Sequence, residues 1–202
     1  MQELVRERNR RGEGGKLRAD IVAAATALLE RTGSEESVTL RAVAREVGIS
    51  APSIYPHFPD REAIVDAIVA GAFAEFNAAI EGATTAAGAG PRGRVRAGCA
   101  AYLQFAADRP NQYKLLFGRQ YDGGGEIPPT HLLSFQLLVD GLRDCVKAGI
   151  SASTDPAGDA TAIWVALHGY ATLHVGLPLF PWPDIETLLD RIVDGLAQIT
   201  PG

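Results

Sequence analysis

The chain has 202 residues, 47% apolar and 21% charged, which allows one or two domains with a real core and excludes wholesale disorder. Its two cysteines are too few for a disulfide framework, no uncut run of about 18 apolar residues reads as a membrane span, and the start, Met1 to Arg11, holds no apolar core of a secretory signal. A cytoplasmic protein with no membrane partner is expected. The net charge of −5 counts against nucleic acid at first sight, but its distribution matters more than its sum. Residues 1–62 carry ten basic and ten acidic side chains, so the rest of the chain holds the whole excess. Within residues 1–18, Arg6, Arg8, Arg10, Arg11, Lys16 and Arg18 face only Glu3, Glu7 and Glu13. A basic arm ahead of an acidic body suits a protein that meets phosphate at one end; a solvated tail is the plain alternative.

The periodic segments are helical, and nothing alternates with period two for long enough to build a sheet. Leu17, Ile21, Ala24 and Leu28 mark a first helix over Lys16–Arg31, stopped by Gly33. Leu40, Val43, Ala44 and Val47 mark a second, capped by Thr39 and closed by Gly48. Ser50 starts a very short third helix with Ala51 and Pro52 in its first turn. Asp60 opens a fourth, Arg61 to about Glu81, with the stripe Ile64, Ile68, Ala72, Phe76 and Ile80. Gly82–Gly90 reads as a loop between two bodies. Further helices are expected near Arg92–Asp108, Asn111–Phe117, Thr130–Ala148, Asp159–Val175 and Asp184–Ile199, with the Gly123–Gly125 run as a loop.

The expected fold is therefore all-α, about nine helices, in two modules. An arm (1–15) precedes a three-helix module (16–62). A larger helical domain (63–202) follows, entered through a linking helix at 61–81.

Val38 to Ile64 carries the most specific signal. Two short helices joined by Gly48-Ile49-Ser50 make a helix-turn-helix arrangement. Its second helix presents Ser50, Ala51, Pro52, Ser53 and Tyr55, small enough at the leading end to enter a major groove. Tyr55 and His57 can hydrogen-bond phosphate, Arg61 adds charge at the groove edge, and Thr39, Leu40 and Arg41 open the preceding helix toward the backbone. A plain αα-hairpin with no ligand is the alternative reading of the spacing.

Here the sequence resembles the tetracycline-repressor (TetR) family of bacterial transcriptional regulators. Gly48, Ile49, Ser50, Ile54, Tyr55, His57, Phe58, Arg61 and Ile64 stand at the positions of the family's recognition-helix pattern, and Pro56, Pro59 and Arg61 depart from it. A second resemblance lies in Trp164-Val-Ala-Leu-His168-Gly169, similar to the Trp-x-x-x-His-Gly signature of one C-terminal subgroup. The resemblance implies a helical ligand-binding and dimerisation domain. The leading expectation is a homodimeric repressor on a pseudo-palindromic double-stranded DNA operator, its affinity lowered by an apolar or amphipathic small-molecule effector. A helical small-molecule-binding protein with a vestigial or protein-interacting helix-turn-helix is the alternative.

Within the C-terminal module, Trp164, His168, Ala171 and Val175 fall on one side of a helical wheel. Ala162, Ala166, Gly169, Leu173 and Gly176 fall on the other, where a second helix could approach closely. An all-round apolar helix is expected to be buried on every side. Ile185, Leu188, Leu189, Ile192, Val193 and Leu196 form the stripe of the last helix, and pairing both helices with their copies would make a four-helix dimer interface. Burial of both stripes in one monomer is the alternative. Candidate ligand contacts are Trp164, His168, Tyr102, Phe105, Tyr113, Phe117 and Phe135, each of which could equally be core. Cys99 and Cys145 read as small buried hydrophobes, with a redox-sensing pair as the alternative. No nucleophile–base pattern, metal-ligand spacing or phosphate-binding glycine motif is present, so no enzyme, metal or cofactor is expected.

Overall fold

The computed structural model describes residues 14–88, 90–118 and 128–200. Most of the basic arm and the Gly123–Gly125 loop therefore lie outside the described residues. The described fold is all-α, with eight α-helices and two 3-10 turns (Glu35–Ser37 and Ala51–Ser53). The helices are α1 (Gly14–Thr32), α2 (Leu40–Val47), α3 (Arg61–Ala86), α4 (Pro91–Asp108), α5 (Pro110–Gly118), α6 (Pro129–Lys147), α7 (Pro156–Gly176) and α8 (Ile185–Leu196). They divide into two compact units, residues 1–71 and 72–202.

In the N-terminal unit, α1 packs on α2. Ile21, Ala25, Val43, Ile54, Phe58 and Ile64 are buried together as its core. Thr39 caps α2 as expected, its Oγ1 accepting from the Ala42 N–H at 3.2 Å. Gly48 ends the helix at φ +77°. The Ile49 N–H reaches the Ala44 carbonyl at 2.9 Å and the Gly48 N–H reaches Arg45 at 3.2 Å, the paired bonds of a Schellman stop.

The third helix expected from the sequence is corrected to a single 3-10 turn. Its bonds run three residues back, from Ser53 N–H to the Ser50 carbonyl and from Ile54 N–H to Ala51. Pro56 has no N–H to offer and would collide with the carbonyl four residues earlier, so an α-helix cannot propagate there. Ser50 makes no side-chain cap and instead bonds Ser53, hydroxyl to hydroxyl, at 2.8 Å.

The linking helix is also longer than the sequence suggested. It continues through Ala83, Thr84, Thr85 and Ala86, good or tolerable helix residues, and the break comes only at Gly88 with φ +54°. Of the described helices α3 alone is long and apolar enough to cross a membrane, with half of that window buried in protein.

The C-terminal unit is organised on α4, which packs against α5, α6, α7 and α8. Two glycines set the approaches. A Cβ on Gly141 of α6 would stand 2.8 Å from Val95, and one on Gly98 of α4 would stand 3.0 Å from Thr84. An arginine–carboxylate ladder ties α8 to α4. Arg92 holds Asp194 at 2.7 and 2.8 Å and Asp190 at 3.1 Å, while Arg96 holds Asp190 and Glu186, each at 2.6 Å. Charge-assisted pairs of this kind lie within one network, which makes each worth more than an isolated surface pair.

Candidate nucleic-acid interface and effector cavity

The residues chosen for DNA contact fall around the helix-turn-helix. Thr39, Arg41, Ser50 and Pro52 are exposed, and Tyr55 is the exposed large apolar side chain of the unit's described residues at 57%. Leu40, Ala51, Ser53 and His57 are half-buried. Arg45, one turn along α2 from Arg41, is exposed too, and the sequence reading does not include it. Arg61 is placed differently from its groove-edge reading. Its Nε donates to the Val38 carbonyl at 3.1 Å, and one terminal nitrogen donates to the Glu35 carbonyl and carboxylate at 2.8 and 3.0 Å. The guanidinium thus clasps the start of α3 to the turn before α2.

The C-terminal unit encloses a cavity of about 450 Å³. Its walls come from α3, α4, α6 and α7, with Phe117 of α5. Of the seven candidate ligand contacts, Tyr102, Phe117, Phe135 and Trp164 line it. Phe105 lies outside the lining, edge-on to Phe76 with centroids 5.1 Å apart. Tyr113 and His168 form a second layer. The Tyr113 hydroxyl is 2.8 Å from the Tyr102 hydroxyl and 2.8 Å from His168 Nδ1. Burial pushes both tyrosine hydroxyls up, Tyr113 to about 12, and pushes His168 below its ordinary value, so all three are neutral at pH 7.

The sequence reading missed the part of the wall supplied by α3, Phe76, Ile80 and Thr84. A signal for it existed, because Phe76 and Ile80 belong to the stripe read as plain core and Thr84 extends it by one further turn. Arg94, Asp140 and Asp144 also reach the lining, Arg94 facing Asp144 at 3.5 Å. Cys99 stands in the wall with its thiol pushed up to about 12 by burial, and burial raises Cys145 as well. Both therefore stay protonated, which removes the reactive thiolate a redox pair requires. Among the described residues no group of His, Cys, Asp or Glu could hold a metal ion.

On the outer side, α7 is not buried all round, contrary to the wheel reading. Ile163, Leu167 and Ala171 point into the unit, whereas Val165, Leu173 and Val175 are 50–64% exposed. Ala162 and Gly176 are exposed, and Ala166 and Gly169 half-buried. A Cβ on Gly169 or Gly176 would meet nothing within 4 Å. On α8, Ile185, Ile192 and Leu196 are half-buried, but Leu189 is 1% exposed. Leu189 is therefore corrected from an interface residue to core, because it shares the inward face of α8 with Val193.

The comparisons with known proteins agree with this arrangement. The family of bacterial regulatory proteins, tetR family, matches residues 21–68, and the tetracyclin repressor-like C-terminal domain matches residues 95–196. A protein of unknown function from Rhodococcus sp. RHA1 superposes with a TM-score of 0.81 at 28% identity, covering 94% of this chain and 98% of that one. A bacterial regulatory protein in the tetR family from Rhodococcus RHA1 gives 0.64 at 20% identity, over 91% and 96%. The TetR family transcriptional regulator PfmR from Thermus thermophilus gives 0.63 at 20%, over 90% and 99%. No curated protein matches the chain. The chain belongs to the tetR family and is a ligand-responsive, DNA-binding regulator of transcription.

Proposed function

We propose that the protein is a cytoplasmic repressor that binds a pseudo-palindromic operator as a homodimer and is released by an apolar or amphipathic small molecule. In this reading residues 16–62 are the DNA-binding domain and residues 63–202 the effector and dimerisation domain. Tyr55, His57, Arg41 and the Ser50–Ser53 turn meet the operator, and the exposed face of α7 with the outer residues of α8 meets a second copy. In this reading the Trp164/His168/Gly169 spacing, which resembles the Trp-x-x-x-His-Gly signature, marks a member of that subgroup.

The observation that carries the reading is the cavity. About 450 Å³ of mostly apolar, aromatic-rimmed space inside one unit falls within the usual range of a small-molecule site. Trp164 lines it from the same helix whose open face carries Gly169 and Gly176. A ligand that tilts α7 on the cavity side must move its outer face too, because packed helices shift as units. Helix α3 begins at Arg61, beside the helix-turn-helix, and contributes Phe76, Ile80 and Thr84 to the cavity wall. Two recognition segments set one DNA turn apart, about 34–36 Å, tolerate little change of spacing. A coupling of about 1–3 kcal/mol changes operator affinity about 5- to 150-fold, enough to switch a promoter.

Affinity selection of genomic fragments with the purified protein supplies the operator, and candidate effectors are then titrated against it. An effector that lowers operator affinity of the native protein should lose its effect on Trp164→Ala, with ligand-free binding unchanged. An effector working equally well on both proteins would place its site elsewhere.

A further inference from the structure

The cavity of the C-terminal unit has two unlike ends, set by the directions of its walls. Helices α3 and α6 both run antiparallel to α4. Phe76 of α3 stands edge-on to Tyr102 of α4 with centroids 5.2 Å apart, while Gly98, one turn back on α4, lies against Ile80 and Thr84. On α6, His131 stacks on Phe73, one turn from Phe76, whereas Gly141 lies against Val95 and Asp144 meets Arg94. Phe76, Tyr102, Phe117 and His131 therefore gather at one end. Thr84, Arg94, Asp140 and Asp144 gather at the other. From Arg94 to Tyr102 is eight residues of α4, about 12 Å at the helical rise of about 1.5 Å per residue.

Formal charge in the described lining is confined to Arg94, Asp140 and Asp144. At the ring end a carboxylate would meet no cation, since burial lowers the His131 pKa, and its desolvation would go uncompensated. At the charged end each acid already has a partner from its own helix. Asp140 takes Arg143 at 2.9 Å and Gln136 at 3.0 Å, and Asp144 takes Lys147 at 3.2 Å. The Arg94–Asp144 contact is looser, 3.5 Å between side chains 40% and 42% exposed, against about 2.7–2.9 Å for a good charge-assisted bond. An arriving carboxylate can therefore take Arg94 and leave Asp144 bonded to Lys147. An arriving ammonium would stand among three cations, Arg94, Arg143 and Lys147, which already engage both acids.

We propose that the cavity takes an elongated apolar carboxylic acid, bound as its carboxylate along α4, with the head at Arg94 and the tail against Phe76, Tyr102 and Phe117. The inference rests on the reading of this cavity as the effector site. Arg94 selects the head group, and the ring end limits the length of the tail.

The test is calorimetry on the full-length protein with octanoate, octan-1-ol and octylammonium, probes of one chain length close to that of the slot. The native protein should bind octanoate about 5- to 10-fold more tightly than the alcohol, the worth of one partly exposed charge-assisted hydrogen bond, and octylammonium more weakly than either. Arg94→Gln should bring acid and alcohol within about twofold, with folding checked by thermal melting. Asp144→Asn weakens the competing acceptor and should keep or enlarge the acid preference. Ser134→Phe adds a ring beside His131 and Phe135, at the far end from Arg94. It should weaken octanoate more than butanoate, yet leave octanoate ahead of octan-1-ol. Equal binding of acid and alcohol to the native protein, a preference for octylammonium, or no binding of any octyl probe would overturn the proposal. So would an acid preference that survives in Arg94→Gln or disappears in Ser134→Phe. Octanoate that binds as expected but leaves operator affinity unchanged would instead overturn the cavity as the effector site, with the head-group assignment intact.

Discussion

The two units of this chain are specified at different ranges along the sequence. In the N-terminal unit almost every decisive bond is local: Thr39 to Ala42, Ile49 to Ala44, Ser50 to Ser53, Phe58 to Ile54. Among the described residues its Arg61–Glu35 hydrogen bond spans 26 residues, and the Arg18 guanidinium lies over the Phe58 ring, 40 residues on. In the C-terminal unit the decisive bonds close over far longer stretches. The Arg92–Asp194 pair spans 102 residues and the Tyr113–His168 bond 55. The first unit can thus be read from capping and turn chemistry. The second depends on which helices come to lie side by side, and this local chemistry does not decide.

The largest expected effects test whether the C-terminal unit separates its core from its outer face. Leu189→Asp places a carboxylate where the native side chain is 1% exposed. An uncompensated buried charge should cost about 3–5 kcal/mol, seen as a large fall in the urea midpoint of the C-terminal unit. Gly169→Leu should leave that midpoint nearly unchanged, since its Cβ direction is open, and should act only on assembly. Sedimentation of a folded, monomeric Gly169→Leu protein beside a dimeric native one is the expected result. If instead Leu189→Asp folds normally, the division between the two faces of α8 is misplaced.

A middle-sized effect distinguishes clasp from contact in the N-terminal unit. Arg61→Met keeps the aliphatic stem and removes three hydrogen bonds to Val38 and Glu35. The guanidinium is about one-third exposed, so the loss should be about 1–2 kcal/mol of stability. The slope of log operator affinity against log salt should hardly change. Arg41→Ala, on an exposed side chain, should do the reverse, flattening that slope by about one unit per subunit with little change in melting. A flattened slope in Arg61→Met would return Arg61 to the phosphate-contacting set.

Most of the element order is legible in the sequence because it follows from periodicity and punctuation. The bounds of α2 and its Thr39 and Gly48 ends match the reading to the residue. The 3-10 turn is harder to see, because Pro52 is a favourable first-turn residue and only Pro56, four places on, forbids the helix it seems to start. The Gly82–Gly90 segment has the small residues of a loop, although nothing before Gly88 forces the chain out of the helix. The aromatic half of the cavity is legible because large rings stand out on their helices. The Gly98 and Gly141 approaches are not, since a small residue means nothing until its neighbour across the crossing is known, and the α3 stripe reads as plain core until the helices facing it are known. The same limit hides the α8 carboxylates. Glu186, Asp190 and Asp194 look like a solvated edge, and only the placement of Arg92 and Arg96 opposite them makes them a tie.

The smallest expected effect concerns acid, and it separates the units again. Burial lowers the pKa of His168 and of His131, both in the C-terminal unit, and His131 stacks on Phe73 with centroids 3.8 Å apart. A histidine with a depressed folded pKa binds fewer protons when folded than when unfolded, in the window between its folded value and about 6.5. Stability there rises with pH. The contribution is therefore complete above about 6.5 and is lost progressively as the pH falls below that value. For His168 the physical cost is the desolvation of a charged ring in a partly buried place. The lowered carboxylate Asp190 acts in the same direction but only as the pH nears the ordinary carboxylate range, about 4, because Arg96 and Arg92 hold its folded value down. The two sources do not overlap between pH 7.5 and 5.5. Urea midpoints of the C-terminal unit should fall modestly across that interval, and the fall should shrink in His168→Asn and shrink further when His131→Asn is added. A midpoint that does not move between pH 7.5 and 5.5, or that moves equally with both histidines replaced, would mean that these rings are not held neutral by the fold.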